Sequence, residues 1–181
     1  MRVIAGAAKG MRLVSPKGPD VRPTLDRVRE SLFNILAPRL EGASFLDLFA
    51  GTGANGIEAL SRGAQHATFI DSDPRAVRAI GRNLEATRLA GRADVRRASL
   101  PEALRDLWAA GRKYNIVFAD PPFAGMQYGR LVAAISDARV LAEEGVVVIE
   151  HPSRVETGES VGGLVRTRVN TYGEIGLSFF T

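Results

Sequence analysis

No cysteine and only two histidines, His66 and His151, occur in the 181 residues of this chain. A disulfide framework and a thiolate metal site are therefore excluded, and two histidines so far apart in sequence make no convincing metal cluster. Long apolar runs are missing as well. No stretch approaches the roughly 18 residues of a membrane span. The N-terminus Met1-Arg2-Val3-Ile4-Ala5-Gly6 carries no signal-peptide core. Fixed-period repeats, low-complexity tracts and Gly/Ser linkers are absent too. These gaps lead us to expect a cytoplasmic, metal-free, membrane-free protein, as a monomer.

What is present is ordinary for one globular unit, with 45% hydrophobic and 24% charged residues. The charge is unevenly placed. Residues 1–29 hold seven basic groups (Arg2, Lys9, Arg12, Lys17, Arg22, Arg27, Arg29) against Asp20 and Asp26, while the rest of the chain is close to neutral. A basic arm on a neutral body fits contact with a polyanion, although a solvated basic surface has the same composition.

The periodicities predict short β-prone pieces at 2–4 and 11–14 as a hairpin, then a Pro/Gly loop. A helix follows, capped by Thr24, with Leu25, Val28, Leu32, Ile35 and Leu36 on one stripe and a stop at Pro38. From residue 43 onward short apolar runs alternate with helical patterns: strand 45–50, helix 56–62, strand 67–71, helix 74–89. Strand 94–97, helix 101–109, strand 115–120, helix 127–138 and strand 145–150 continue the series. The tail, 164–171 and 174–180 around Tyr172-Gly173, reads as a hairpin that brings an antiparallel strand into the sheet. The expected fold class is α/β: a seven-stranded, mostly parallel sheet with helices on both faces. We expect residues 1–38 to form a basic extension that faces a polyanion and 39–181 the main domain.

The segment Phe45-Leu46-Asp47-Leu48-Phe49-Ala50-Gly51-Thr52-Gly53-Ala54-Asn55-Gly56 is a strand running into a glycine loop and a helix. Such a loop lets backbone approach a ligand closely and aims free N–H groups at it. The glycines alone also fit a dinucleotide fingerprint, with Asp71 at the position of its ribose acid. Asp47 argues otherwise. It sits inside the first strand, where a dinucleotide enzyme expects an apolar residue, and could hold the loop and approach an amino-acid ammonium. S-adenosylmethionine carries that ammonium, a carboxylate for the helix end and a ribose diol for Asp71. Asp73 is expected to cap the next helix, Glu58 and Glu150 to be surface or supporting groups, and His151 to lie in a loop.

Asp120-Pro121-Pro122-Phe123 follows the apolar run Tyr114-Asn115-Ile116-Val117-Phe118-Ala119. An exocyclic amino group on a flat base is a poor nucleophile, and a site that attacks with it must hold it in place. Asp120 and the Pro121 carbonyl can accept its two hydrogens, both prolines stiffen the turn, and Phe123 offers a stacking face. Asp47, Asp71 and Asp120 all fall at or near strand carboxyl ends, where open α/β sheets bind ligands.

With these motifs the chain resembles the class I S-adenosylmethionine-dependent methyltransferases, and more closely the RsmD family of small-subunit rRNA guanine-N2 methyltransferases. The residues that carry the resemblance are Arg22-Pro23-Thr24, Asp26-Arg27-Val28-Arg29-Glu30, Leu32-Phe33-Asn34-Ile35-Leu36, Leu46 to Gly53, Glu58 to Ala64, Asp120 to Phe123 and Glu150-His151-Pro152. It implies a Rossmann-like fold and methyl transfer to N2 of one guanine in bacterial 16S rRNA, free or in the 30S subunit. It implies cofactor contacts from Asp47, Phe49, Ala50, Gly51, Thr52, Gly53, Asp71, Ser72, Ser99, Leu100 and Asp120. Catalytic roles fall to Asp120, Pro121, Pro122 and Phe123, and RNA contacts to Arg22, Thr24, Arg27 and Arg29. Ser99 stands where such enzymes usually carry an acid for the adenine amino group. Two rivals share these motifs: a DNA or protein N-methyltransferase, and a non-catalytic RNA-binding assembly factor with a decayed cofactor pocket.

Overall fold

The computed structural model describes residues 1–15 and 23–181, with the side chains of 23–25 set aside. Arg22 and the Thr24 side chain thus lie outside the described residues. The chain folds as two compact units, Met1–Ala98 and Ser99–Thr181.

In the first unit α1 (Pro23–Leu36) leads to β1 (Ser44–Leu48), α2 (Ala54–Ser61), β2 (His66–Asp71), α3 (Pro74–Thr87) and β3 (Ala93–Arg97). The strands run parallel in the order β3-β2-β1. Since α1 already starts at Pro23, Thr24 sits in its first turn rather than at its cap. The inward stripe of α1 includes Phe33, fully buried and stacked on Phe45 of β1 at 6.1 Å. A 3₁₀ turn over Ala37–Arg39 ends the helix around Pro38, where the fixed φ and missing N–H stop propagation.

The expected N-terminal hairpin is present: Arg2 bridges Arg12 in antiparallel fashion, Val3 N–H donates to Met11 O at 3.0 Å, Gly10 N–H to Val3 O at 2.9 Å and Leu13 N–H to Met1 O at 3.1 Å. Its backbone is also tied to α2. Glu58, fully buried rather than on the surface, accepts the Ile4 and Ala5 N–H groups at 2.7 and 3.0 Å and the Arg62 Nε–H at 2.7 Å. Ser61 Oγ donates to the Ala5 carbonyl at 2.6 Å and accepts the Ala8 N–H at 2.9 Å. A buried carboxylate is tolerated here because charged and polar donors surround it.

In the second unit α4 (Glu102–Ala109), β4 (Tyr114–Ala119), α5 (Tyr128–Asp137), β5 (Leu141–Pro152), β6 (Ser160–Val161), β7 (Leu164–Tyr172) and β8 (Ile175–Phe180) follow. The strand order is β4-β5-β8-β7-β6, with β4 and β5 parallel and β8 antiparallel to both its neighbours. The terminal hairpin thus brings an antiparallel strand in beside β5. Among the described residues the strands number eight, one more than the expected seven, the addition being the two-residue β6.

His151 lies in β5, not in a loop. It is 2% exposed, and its Nδ1 and Nε2 lie 2.9 and 2.8 Å from Pro152 O and Ser178 Oγ. Thr157 donates to the same Ser178 hydroxyl. Burial lowers the His151 pKa, so the ring is neutral and serves a buried hydrogen-bond chain. A Cβ on Gly176, its register partner, would lie 2.5 Å from the ring, so only glycine fits there.

Candidate active site

In the first unit two carboxylates shape the glycine turn. Asp47, 1% exposed, accepts the Gly56 N–H at 2.9 Å and so fixes the first turn of α2 against the end of β1. Asp71, at the end of β2, accepts the Gly51 N–H through Oδ2 and the Asp73 N–H through Oδ1, both at 2.8 Å. Each Asp71 oxygen keeps a lone pair, so the same carboxylate can also take a diol. Asp73 accepts the Arg75 N–H at 2.8 Å and caps α3. The turn itself is left-handed at Phe49 (φ 61°) and Gly53 (φ 76°). Left-handed backbone is strained for a phenylalanine and persists where the surroundings impose it, which happens most often at ligand sites. Gly56 answers a packing demand instead, because a Cβ there would lie 2.2 Å from the Phe69 ring. Asn83, 1% exposed, completes the frame by donating to Thr52 O at 2.9 Å and pairing with both backbone groups of Val14.

In the second unit Asp120-Pro121-Pro122-Phe123 leaves the carboxyl end of β4. Pro121 is buried, and Phe123 holds its ring 45% exposed. Asp120 is reachable by solvent, yet the protein around it removes enough water to raise its carboxyl to about 6. Glu150, 9% exposed on β5, rises to about 8, first through burial and then through the Asp120 charge. Both carboxyls are thus held above the ordinary carboxylate range, and the two titrate as a pair. Tyr128 lies beside them. Its hydroxyl is buried, unpartnered among the described residues, and pushed up by burial, Asp120 and Glu150 in that order. Its ring meets His151 edge-on at 5.9 Å. Glu150, expected to be a surface or supporting group, is thus buried beside Asp120, and no sequence motif marks Tyr128. A lone acid in an apolar strand run was the available signal.

Ser99 is exposed and donates to Glu102 at 3.0 Å, while Leu100 is half-buried and Ser72 exposed. Arg27 is exposed, in a cleft of about 440 Å³ with Arg2 and Lys9. Arg29 turns inward. At 5% exposure it donates to Arg2 O at 2.6 Å and Asp26 Oδ1 at 2.9 Å, which takes it away from solvent and any phosphate. No group of three or more His, Cys, Asp or Glu fit for a metal occurs among the described residues.

The family model described as "Conserved hypothetical protein 95" matches residues 1–181 of this sequence. The chain belongs to the RsmD family of S-adenosylmethionine-dependent rRNA methyltransferases. Among its relatives, "Putative rRNA methyltransferase YlbH" of Bacillus subtilis (strain 168) is 41% identical over 180 residues, covering 99% of this chain and 98% of that protein. "Ribosomal RNA small subunit methyltransferase D" of Escherichia coli (strain K12) is 43% identical over 158 residues, covering 87% and 77%. A hypothetical protein of Thermus thermophilus superposes with a TM-score of 0.84 at 31% identity, covering 99% of this chain and 98% of that one. The RsmD-family fold, an α/β Rossmann-like methyltransferase, agrees with the elements above.

Proposed function

We propose that this protein methylates the exocyclic N2 of a guanine in bacterial small-subunit rRNA, with S-adenosylmethionine as donor. The observation that carries the reading is the Asp120-Pro121-Pro122-Phe123 turn at the end of β4, with a carboxyl poised near 6 beside an exposed ring. The name of the E. coli relative supplies the substrate class.

In this reading the residues from Asp47 to Ser72, with Ser99 and Leu100, bind the donor. Asp71 takes the ribose hydroxyls, the backbone of Phe49 to Gly53 lies against the amino-acid part, and Asp47 keeps the turn in shape and approaches the ammonium. Ser72 and Leu100 flank the nucleoside, and Ser99, joined to Glu102, offers polar oxygen to the adenine amino group. That neighbouring carboxylate argues against a decayed pocket. The cofactor supplies a methyl group on a sulfonium, which transfers without a metal. The second unit binds the acceptor. Phe123 stacks on the guanine, Asp120 and the Pro121 carbonyl accept the two N2 hydrogens, and Pro122 stiffens the turn. As N2 bonds to the methyl carbon its hydrogen becomes acidic, and ionised Asp120 takes it and passes it to water. Positioning carries much of the acceleration, up to about 7–11 kcal/mol for a well-aligned pair. Arg22, Thr24 and Arg27 belong to the RNA side, and Arg29 positions the segment from within.

Methyl-labelled S-adenosylmethionine offered with small subunits, deproteinised rRNA, DNA and protein tests this. The expected product is N2-methylguanine in rRNA after nuclease digestion. Label in adenine of DNA or in protein overturns the substrate, and no cofactor binding by titration calorimetry overturns the enzyme.

A further inference from the structure

The outer face of α3 carries three arginines that neither the cofactor frame nor the guanine turn uses. Arg75, Arg78 and Arg82 recur at three- and four-residue spacing, so they line one stripe, and all three are exposed. With Val14, Ser15 and Ala79 they enclose a cleft of about 230 Å³. Arg75 is paired with Asp73 at 2.9 Å, whereas Arg78 and Arg82 show no salt bridge among the described residues. Glu85, one turn on, ends the stripe. The cleft wall is fixed, because Asn83 holds both backbone groups of Val14 at 2.8 and 3.0 Å.

A second observation concerns Gly81, which flanks Arg78 and precedes Arg82 inside the helix. Glycine in a helix interior costs about 1 kcal/mol relative to alanine. A Cβ at Gly81 would meet nothing within 4 Å, so internal packing gives no reason for it. An external backbone that comes close to the helix does give one.

We infer that this cleft is a docking surface for the phosphodiester backbone of the substrate RNA, outside the segment that holds the target guanine. The inference rests on the proposed rRNA substrate and extends its footprint to α3. Arginine forks suit phosphate oxygens, and from Arg75 to Arg82 the helix rises about 10 Å, the length of several phosphates along a strand. Asn83 also donates to Thr52 O at 2.9 Å, so RNA held here rests on the residue that frames the donor turn.

The test compares the full chain with R78Q/R82Q, R78E/R82E and Gly81→Leu. Two readouts are taken: the salt dependence of binding to deproteinised small-subunit rRNA, and KM and kcat on that rRNA and on intact subunits. Losing two phosphate contacts should flatten the log–log salt slope by about 1.4–1.8. KM should rise about tenfold or more, with the cofactor Kd from calorimetry unchanged. Gly81→Leu should weaken RNA binding without lowering the melting temperature, an effect that a merely structural glycine does not give. Should the Glu variant melt early, the Gln variant decides. An unchanged slope in the variants overturns the inference. So does a KM rise on intact subunits alone, because the partner is then an acidic protein surface. If the wild type methylates no RNA, the proposed function falls, and the salt slope still decides the cleft.

Discussion

Asp120 and Glu150 each follow the last registered pair of two parallel strands, Ala119 with Ile149, so the carboxyl-bearing residues of β4 and β5 end up side by side. Parallel strands put both carboxyl ends at the same edge, which is how residues 30 apart in sequence come to feel each other's charge. Both carboxyls are raised, and the Asp120 charge contributes to the rise at Glu150.

The ionised Asp120 is predicted to be needed for the reaction and not for the donor. Asp120→Asn keeps the shape and removes the charge. Its kcat should fall about 10²-fold or more. Calorimetry should show near-normal S-adenosylmethionine binding. Turnover close to wild type in this variant sinks the assignment.

Glu150 gives stability a pH dependence of definite sign. Its ordinary value is 4.5 and the folded value about 8, so between these the folded state holds a proton that the unfolded chain has lost. Stability is therefore greatest below about pH 4.5 as far as this group is concerned, and falls as pH rises through 8, by at most about 1.4 kcal/mol per unit. Glu150→Gln should flatten that fall. Melting temperatures of both proteins at pH 6 and pH 8.5 check it, and equal pH slopes contradict it.

Phe123 is predicted to act as a stacking platform. Phe123→Ala should cost about 1–3 kcal/mol of RNA affinity, read as a 5- to 150-fold rise in KM for rRNA, and Phe123→Tyr should restore most of it. Since the ring is 45% exposed, urea midpoints should barely move. A large loss of stability in place of the KM effect would make the ring structural.

Arg27 and Arg29, two residues apart on α1, should behave in opposite ways. Arg29→Ala removes a buried cation from Asp26 and Arg2 O, and should destabilise by about 3 kcal/mol in urea. Arg27→Ala touches an exposed side chain. It should leave stability within about 0.5 kcal/mol and reduce the salt slope of RNA binding by about one. The reverse pattern would contradict their placement.

The sequence alone determined the alternation of strands and helices, because periods of 2 and 3.6 are local and survive without knowledge of partners. It marked the glycine turn, Asp73 as a cap and the Tyr172-Gly173 hairpin for the same reason, since these depend on residues within one turn of each other. Only the tertiary structure decided burial and pairing. Arg29 reads as an RNA contact, and Glu58 as a surface or supporting group, until the Arg2 carbonyl and the Ile4 and Ala5 N–H groups arrive from elsewhere in the chain. Glu150 became a partner of Asp120 through strand register, and the α3 arginines acquired a cleft only when Val14 was pinned beside them. Charge in a sequence has no location, and what it does depends on which distant groups the fold brings within a few ångströms.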